Sequence, residues 1–149
     1  MSYISAPGLT PKETCERYAA ILKALPPDIV FMGIGENGHL AFNDPGEADF
    51  QDPEAVRVVN LDEACRRQQV HDGCFAALAD VPCKAVTLTI PALMAIPCAL
   101  CVVPGPAKAE ALSRTVRGPI CEECPASILR TKKGAVAYTD AEGARKLYD

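Results

Sequence analysis

Apolar and polar residues follow helical and then strand-like spacing from the start of the chain. Thr10-Pro11-Lys12-Glu13 combines a threonine N-cap, a first-turn proline and an acid, which are the usual signals of a helix start. The apolar stripe that follows predicts a helix to about Leu25. Pro26-Pro27-Asp28 ends it, and the apolar run from Ile29 to Gly33 predicts the first strand.

The same alternation continues to the end of the chain. The predicted elements are a strand at 56–61, a helix at 62–79, a strand at 86–90, a short helical turn, a strand at 99–103, a helix at 106–116 and a strand at 135–138. Continuous apolar strands that alternate with helices are typical of parallel sheets. We therefore predict one α/β domain over residues 1–149, with a mostly parallel, Rossmann-like sheet and helices on both faces.

Charge and hydropathy limit the classes of partner. Residues 85–107 carry no charge and are long enough to span a bilayer, but Pro91, Pro97 and Pro104 divide them, so we expect buried core and no membrane partner. The net charge is −4 and no Lys/Arg cluster is present, which argues against nucleic acid. The first residues do not resemble a secretory signal, so a cytoplasmic location is expected.

Eight cysteines include two C-x-x-C pairs, Cys98/Cys101 and Cys121/Cys124, at a spacing compatible with a zinc ribbon. The first pair falls in a predicted strand, where residues three apart point to opposite faces, so we expect reduced cysteines and no metal. A thiol enzyme using Cys74 or Cys124 would need a partner such as His71, and no cysteine-nucleophile motif supports that alternative.

A G-x-G-x-x-G pattern, Gly33 to Gly38, directly follows the first predicted strand. A dinucleotide site needs a helix to open at the third glycine, but Pro45 cuts off any helix here within two turns, so no dinucleotide cofactor is expected. The segment instead gathers polar side chains where ligands bind in α/β sheets. With a reference pKa of about 6.5, His39 is suited to moving protons, and a carboxylate such as Asp44 could fix its tautomer.

The stretch GIGENGHLAFNDP, residues 33–45, closely resembles the signature of the glucosamine-6-phosphate deaminases, also called isomerases. It differs from the related 6-phosphogluconolactonases in the residues after the histidine. The resemblance extends over residues 9–140. It continues in the segments 61–69, 87–93, 108–111 and 118–127.

The resemblance implies an isomerase or hydrolase of carbohydrate metabolism that acts without metal or cofactor. Such an enzyme opens the ring of a small sugar phosphate, converts aldose to ketose, and releases ammonia and fructose 6-phosphate. By position, His39 acts in ring opening, helped by Asn37 and Asp44, while Gly35 and Gly38 let the backbone approach the sugar.

Phosphate binding is implied for charged helix residues further along the chain. The resemblance suggests Arg66, with Arg67 as a possible substitute, and Lys108. Arg and Lys donors that converge from different elements suit a dianionic phosphate.

Members of the family carry a further N-terminal part that holds a phosphate loop and the base for proton transfer. The chain therefore resembles a C-terminal portion, and we expect a homo-oligomer or a missing N-terminal partner segment, because a divided sheet exposes unpaired groups. Activity of the chain alone is in doubt. The alternative is a non-catalytic sugar-phosphate binding or regulatory subunit that keeps His39, Arg66 and Lys108.

Overall fold

Two small β-sheets and the helices that connect them make up the fold. The computed structural model describes residues 3–4 and 6–148. The strands are β1 (Ile29–Met32), β2 (Val56–Asn60), β3 (Lys84–Leu88), β4 (Cys98–Val102) and β5 (Ala135–Tyr138). The α-helices are α1 (Pro11–Ala24), α2 (Glu63–His71), α3 (Ile90–Ala95), α4 (Ala109–Arg117) and α5 (Ala141–Ala144). Short 3-10 helices include Leu78–Asp80, Pro106–Lys108, Pro125–Thr131 and Arg145–Leu147.

The first sheet is parallel and has the order β1-β4-β5. Ile29 pairs with Cys98, and Ala99 pairs with Ala135. Because the strands are parallel, the carboxyl ends of β1 and β4 meet at one edge of the sheet. The predicted α/β class with a parallel sheet is confirmed.

The second sheet consists of β2 and β3, which pair antiparallel. Helix α1 packs on this pair and begins as the sequence predicts: Thr10 accepts from the Glu13 amide, and the Glu13 carboxylate reaches back to the Thr10 amide at 2.8 Å. The expectation of a mostly parallel sheet thus applies to the three-stranded sheet, whereas the β2–β3 pair stands apart from it.

The predicted helix at 62–79 is too long. Helix α2 ends at His71, and Gly73 follows with φ of +76°. In this left-handed conformation the amides of Gly73 and Cys74 bond back to the carbonyls of Val70 and Gln69, which is how glycine commonly terminates helices. Residues 78–80 form a separate 3-10 turn.

One face of the parallel sheet contributes to the main apolar core. Ala99 and Cys101 of β4 are buried there together with residues of α3 and α4, and Val30 and Met32 of β1 pack against them. Burial of this apolar surface is the main favourable term in folding.

The opposite face of the same sheet is open. Its side chains belong to alternate positions of the three strands, as the register requires. Several are large, apolar and exposed: Ile29, Phe31, Val102, Val136 and Tyr138, with Phe31 the most exposed at 73%. Exposed apolar patches in proteins are commonly interaction surfaces, so this face is a candidate for one.

Within residues 3–4 and 6–148, no helix combines the length and the apolar character that crossing a membrane requires. Residues 85–107 instead form most of β3, then α3 and β4.

Candidate active site

The glycine loop after β1 folds back on itself before it presents His39. The Gly35 amide donates to the His39 carbonyl at 3.0 Å, and the Gly38 amide donates to the Gly35 carbonyl at 2.9 Å. Gly38 has φ of +92°, and a side chain there would also come within 2.9 Å of Cys124 Sγ. The loop therefore closes into a tight turn at the carboxyl end of β1.

His39 and Asp44 form a buried pair at the centre of the site. His39 Nδ1 lies 2.9 Å from Asp44 Oδ1, and the two side chains are 9% and 0% exposed. The distance is that of a hydrogen bond, but the ring N–H does not point at the carboxylate closely enough to complete one. We therefore describe the contact as a close polar pair, of the kind that can tighten when a substrate binds.

Asn37 holds both members of this pair. Its side-chain oxygen accepts from the His39 amide at 3.0 Å, while its Nδ2 donates to Asp44 Oδ1 and to Asp62 Oδ2, each at 3.2 Å. Asp62 is the N-cap of α2, and its Oδ1 accepts from the Cys65 amide at 2.6 Å. The histidine is thus fixed to the start of α2 through one amide side chain.

The carboxyl group of Asp44 is held in its ionised form. Burial by itself would raise its pKa, but the contact with His39, the bond from Asn37 and the Asp62 amide together lower the pKa of Asp44 below its ordinary value. Asp44 therefore places a buried negative charge beside the imidazole ring.

Cys65 lies against the same carboxylate. It is completely buried, and burial together with the negative charge of Asp44 raises the pKa of its thiol to about 12. The thiol therefore stays protonated near neutral pH, which makes it a poor nucleophile.

Gly35 leaves room for the imidazole. A Cβ at this position would lie 2.2 to 2.4 Å from three atoms of the His39 ring. Any larger residue would displace the ring, so the absence of a side chain at Gly35 is a condition for the position of His39.

His39 and Gly35 line an open cleft of about 580 Å³. Lys108 also lines it and comes from the 3-10 turn that follows β4. His39 and Lys108 thus reach one cleft from the carboxyl ends of two adjacent parallel strands, as expected for a ligand site in an α/β sheet. Gln68 and Asp72 of the α2 region face it from another side.

A strained turn forms part of the cleft wall. Ala41 has φ of +53°, the only positive φ among the described non-glycine residues, and it lines the cleft. Buried Asn43 closes the turn by donating to the Leu40 and Leu88 carbonyls at 2.9 and 2.8 Å, and Thr87 accepts from the Phe42 amide. Strain of this kind is kept where surrounding bonds enforce it, which is common at functional sites.

The two predicted phosphate-binding arginines do not line the cleft in this structure. Arg66 donates to the carbonyls of Leu78 and Val81 at 2.8 and 2.9 Å. Arg67 is exposed and paired with Glu63. Their assignment to phosphate remains a prediction, whereas Lys108 does lie at the cleft. Gly38 lies outside the cleft lining, and a side chain at this position would meet Cys124.

Sequence reasoning did not identify Asp62, Cys65, Gln68 or Thr87 as parts of this region. Asp62 had a visible signal, since an aspartate before a helix is a common N-cap. The contacts of Cys65 on α2 and Thr87 on β3 are made with the loop after β1, which is distant in sequence, so they leave no local pattern.

The fold and the site define a class of protein: a Rossmann-like α/β protein with a buried histidine–carboxylate pair and a lysine at the carboxyl edge of its parallel sheet. Residues 2–138 match the family described as glucosamine-6-phosphate isomerases/6-phosphogluconolactonase, and the chain belongs to this family.

Similar proteins include the glucosamine-6-phosphate deaminases of Bacillus cereus (strain B4264) and Bacillus cytotoxicus. Both are 38% identical over 131 residues, which cover 88% of this chain and 48% of theirs. The chain thus spans about half the length of the curated relatives it matches. The isomerase assignment and a place in carbohydrate metabolism agree with these matches, whereas nothing in the deaminase matches supports the assignment as a hydrolase.

Solved structures share the fold. A monomeric glucosamine-6-phosphate deaminase of the NagB superfamily superimposes with a TM-score of 0.85 and 33% identity, covering 95% of this chain and 56% of the other. The 6-phosphogluconolactonase of Trypanosoma brucei gives a TM-score of 0.71 at 22% identity, with 96% of this chain and 56% of the other covered, and is similar in fold alone.

Proposed function

We propose that the chain is the histidine-bearing half of a glucosamine-6-phosphate deaminase. The reaction converts glucosamine 6-phosphate to fructose 6-phosphate and ammonia through ring opening and aldose-to-ketose isomerisation. The observation that carries the proposal is the buried His39–Asp44 pair beside a cleft that Lys108 also lines, in a chain of this family.

His39 is the group that opens the sugar ring in this proposal. Its Nδ1 lies against Asp44, so Nε2 is the nitrogen left for the substrate. The ring removes the proton from the anomeric hydroxyl and delivers a proton to the ring oxygen as the C1–O5 bond breaks. Ionised Asp44 stabilises the imidazolium that forms between these two transfers, and Asn37 fixes the geometry.

Phosphate recognition falls to Lys108 and, as a prediction, to Arg66 or Arg67. Lys108 contributes a positive charge at the cleft, which suits a dianionic phosphate. Arg66 would have to leave the Leu78 and Val81 carbonyls before it could contribute. Gly35 lines the same cleft as His39, and without a side chain it lets the imidazole and the loop backbone lie close to a bound sugar.

The base for proton transfer between C1 and C2 belongs, in this proposal, to the part of the family fold beyond this chain. Asp72 is the only carboxylate among the described residues that line the cleft; it is exposed and accepts from Gln68. The open face of the parallel sheet is where we place that remaining part, as a further segment or a partner chain. In a homo-oligomer, a second copy would cover this face instead. The location we propose is the cytoplasm, where the eight free cysteines stay reduced.

Exchange between substrate anomers tests ring opening separately from the whole reaction. Two-dimensional exchange NMR of glucosamine 6-phosphate measures how fast the α and β anomers interconvert, and one-dimensional spectra in deuterated buffer follow loss of the C2 proton and product. We expect the chain to accelerate anomer exchange. The rate enhancement given by His39→Gln should be at least about 100-fold smaller than that of the wild type.

The matched control is His71→Gln, which changes the other histidine. His71 is exposed, contacts Glu36 at 3.2 Å and does not line the cleft, so this variant should behave as the wild type. Equal anomer exchange with and without folded protein would overturn the proposed role of His39. Accelerated exchange without loss of the C2 proton would support the assignment of the base to the remaining part of the fold. A non-catalytic binding subunit would bind the sugar phosphate without either effect.

A further inference from the structure

Three potential metal ligands converge beneath the cleft. One ligand atom each from His39, Asp44 and Cys65 lies within 4.8 Å of the other two, and all three residues are buried. This is the only such group among residues 3–4 and 6–148. The C-x-x-C pairs considered above do not contribute to it.

The second observation is an unsatisfied nitrogen within this group. His39 Nδ1 is buried, and no described residue completes a hydrogen bond to it, although Asp44 Oδ1 is only 2.9 Å away. Buried polar atoms in native proteins are nearly always bonded, so an unpaired one calls for a ligand or a movement that satisfies it. A cation placed between the ring, the carboxylate and the sulfur would do so.

The donor set indicates which cation fits. Sulfur, imidazole nitrogen and carboxylate oxygen suit zinc and similar transition metals, whereas magnesium and calcium prefer oxygen alone. With bonds of about 2.0 to 2.3 Å, tetrahedral zinc holds its ligand atoms roughly 3.3 to 3.8 Å apart. The 2.9 Å between His39 Nδ1 and Asp44 Oδ1 must widen slightly, and the longer separations, all within 4.8 Å, must shorten. These changes require shifts of about 1 Å or less in each side chain, and the fourth position remains open for water.

We propose that His39, Asp44 and Cys65 form a binding site for Zn²⁺ or a similar thiophilic divalent cation. Binding replaces the S–H bond of Cys65 by an S–metal bond and releases one proton to solvent. His39 binds through neutral Nδ1 and Asp44 through Oδ1, which gives up its bond from Asn37. Asn37 keeps its bond to Asp62.

Occupancy of the site blocks ring opening, a consequence that rests on the function proposed above. The metal replaces Asp44 as the group on Nδ1, and a ring bound to a cation is a weaker base at Nε2. The same three side chains would thus make the site sensitive to zinc. Binding itself does not depend on the reaction and can be measured alone.

Cobalt(II) is the probe for the test. It adopts zinc-like sites, and a thiolate ligand adds a charge-transfer band in the near ultraviolet to the visible bands of tetrahedral cobalt. Titration of the full chain under reducing, chelator-free conditions should give both signals at one equivalent, and one equivalent of Zn²⁺ should abolish them. Cys65→Ser should remove the charge-transfer band, and His39→Gln should weaken binding at least about 10-fold.

Two controls separate this site from the other thiols. Cys83→Ser alters an exposed cysteine, and Cys98→Ser/Cys121→Ser disrupts both C-x-x-C pairs, so both variants should keep the full signal. Circular dichroism checks that Cys65→Ser is folded, and Asp44→Asn serves as the second variant if it is not. A band that survives in folded Cys65→Ser, a band lost in Cys98→Ser/Cys121→Ser, or no cobalt signal at all would overturn the proposal.

Discussion

At the scale of single residues, the site depends on one missing side chain and one buried charge. Gly35 leaves the space that the His39 ring occupies, and Asp44 supplies the anion beside Nδ1. Both effects can be tested without assuming turnover, because the state of the histidine is visible by NMR.

Gly35→Ala should displace His39. The new methyl group would lie about 2.2 Å from the ring, so the ring or the loop has to move, at a cost of about 1–3 kcal/mol in unfolding free energy. We expect a large change in the His39 imidazole NMR signals and loss of accelerated anomer exchange. Gly33→Ala is the matched control, since a Cβ there meets its nearest atom at 3.6 Å. Unchanged His39 signals in Gly35→Ala would contradict the steric argument.

Asp44→Asn should reduce the acid sensitivity of the fold. The folded-state pKa of Asp44 is lowered from 3.8, so its stabilisation is present above that value and is lost as pH falls through the folded pKa. The variant should be less stable by about 1.5–3 kcal/mol at pH 7, and the difference should shrink below pH 3.8. Urea unfolding at several pH values measures it, with exposed Asp28→Asn as control. A difference that is constant from pH 7 to pH 3 would show that charge is not its cause.

Sequence alone indicated that the polar residues of the glycine loop lie close together. It did not predict the contacts that helix α2 makes, because these depend on segments distant in sequence. His39, Asp44 and Asn37 lie within one loop, so their proximity follows from short spacing along the chain. The direction of Arg66 depends instead on the Leu78–Asp80 turn, which packs there only once the chain has folded. Cys65 reaches Asp44 for the same non-local reason.

At the scale of secondary structure elements, the residue that caps the N-terminus of α2 also contacts the candidate active site. Asp62 caps the helix and also receives a bond from Asn37. Capping residues and strand cores were readable from sequence, and β5 and the start of α1 were predicted at their observed bounds. The end of α2 was not predicted, because it depends on the left-handed conformation of Gly73. The antiparallel pairing of β2 with β3 was not predicted either, because it depends on contacts between distant segments.

Asp62→Ala should destabilise the protein and disturb the histidine together. Loss of the cap costs about 1 kcal/mol, and the Asn37 amide loses a partner. Thr10→Ala provides a matched comparison, because it removes the cap of α1 at a similar cost but lies away from the site. Urea denaturation should give similar losses for both variants. Only Asp62→Ala should shift the His39 NMR signals. Unchanged His39 signals in Asp62→Ala would refute the connection between the α2 cap and the histidine.

At the scale of the whole molecule, the asymmetry of the parallel sheet is the main feature. One face contributes to the core, whereas the other exposes Ile29, Phe31, Val102, Val136 and Tyr138. The chain spans about half the length of the curated relatives it matches.

Phe31→Lys should reduce association through this face. Phe31 is 73% exposed, so the change removes little internal packing but places a charge in the middle of the apolar surface. Sedimentation of the chain alone, and with the separately expressed N-terminal half of the Bacillus cereus relative, measures the association. We expect weaker self-association or weaker capture of that half, with Lys23→Ala as an exposed control on α1. Equal association by wild type and Phe31→Lys would exclude this face.

The order of the parallel sheet also affects how the chain reaches this fold. β1 is made early, but its neighbour β4 follows only after β2, α2, β3 and α3 have been synthesised. Pairing across so long a loop is slow, because closure entropy is lost before any contact is gained. During synthesis the segment Ile29-Val30-Phe31-Met32 is therefore exposed without its strand partner, and chaperone dependence and aggregation of nascent chains should concentrate there.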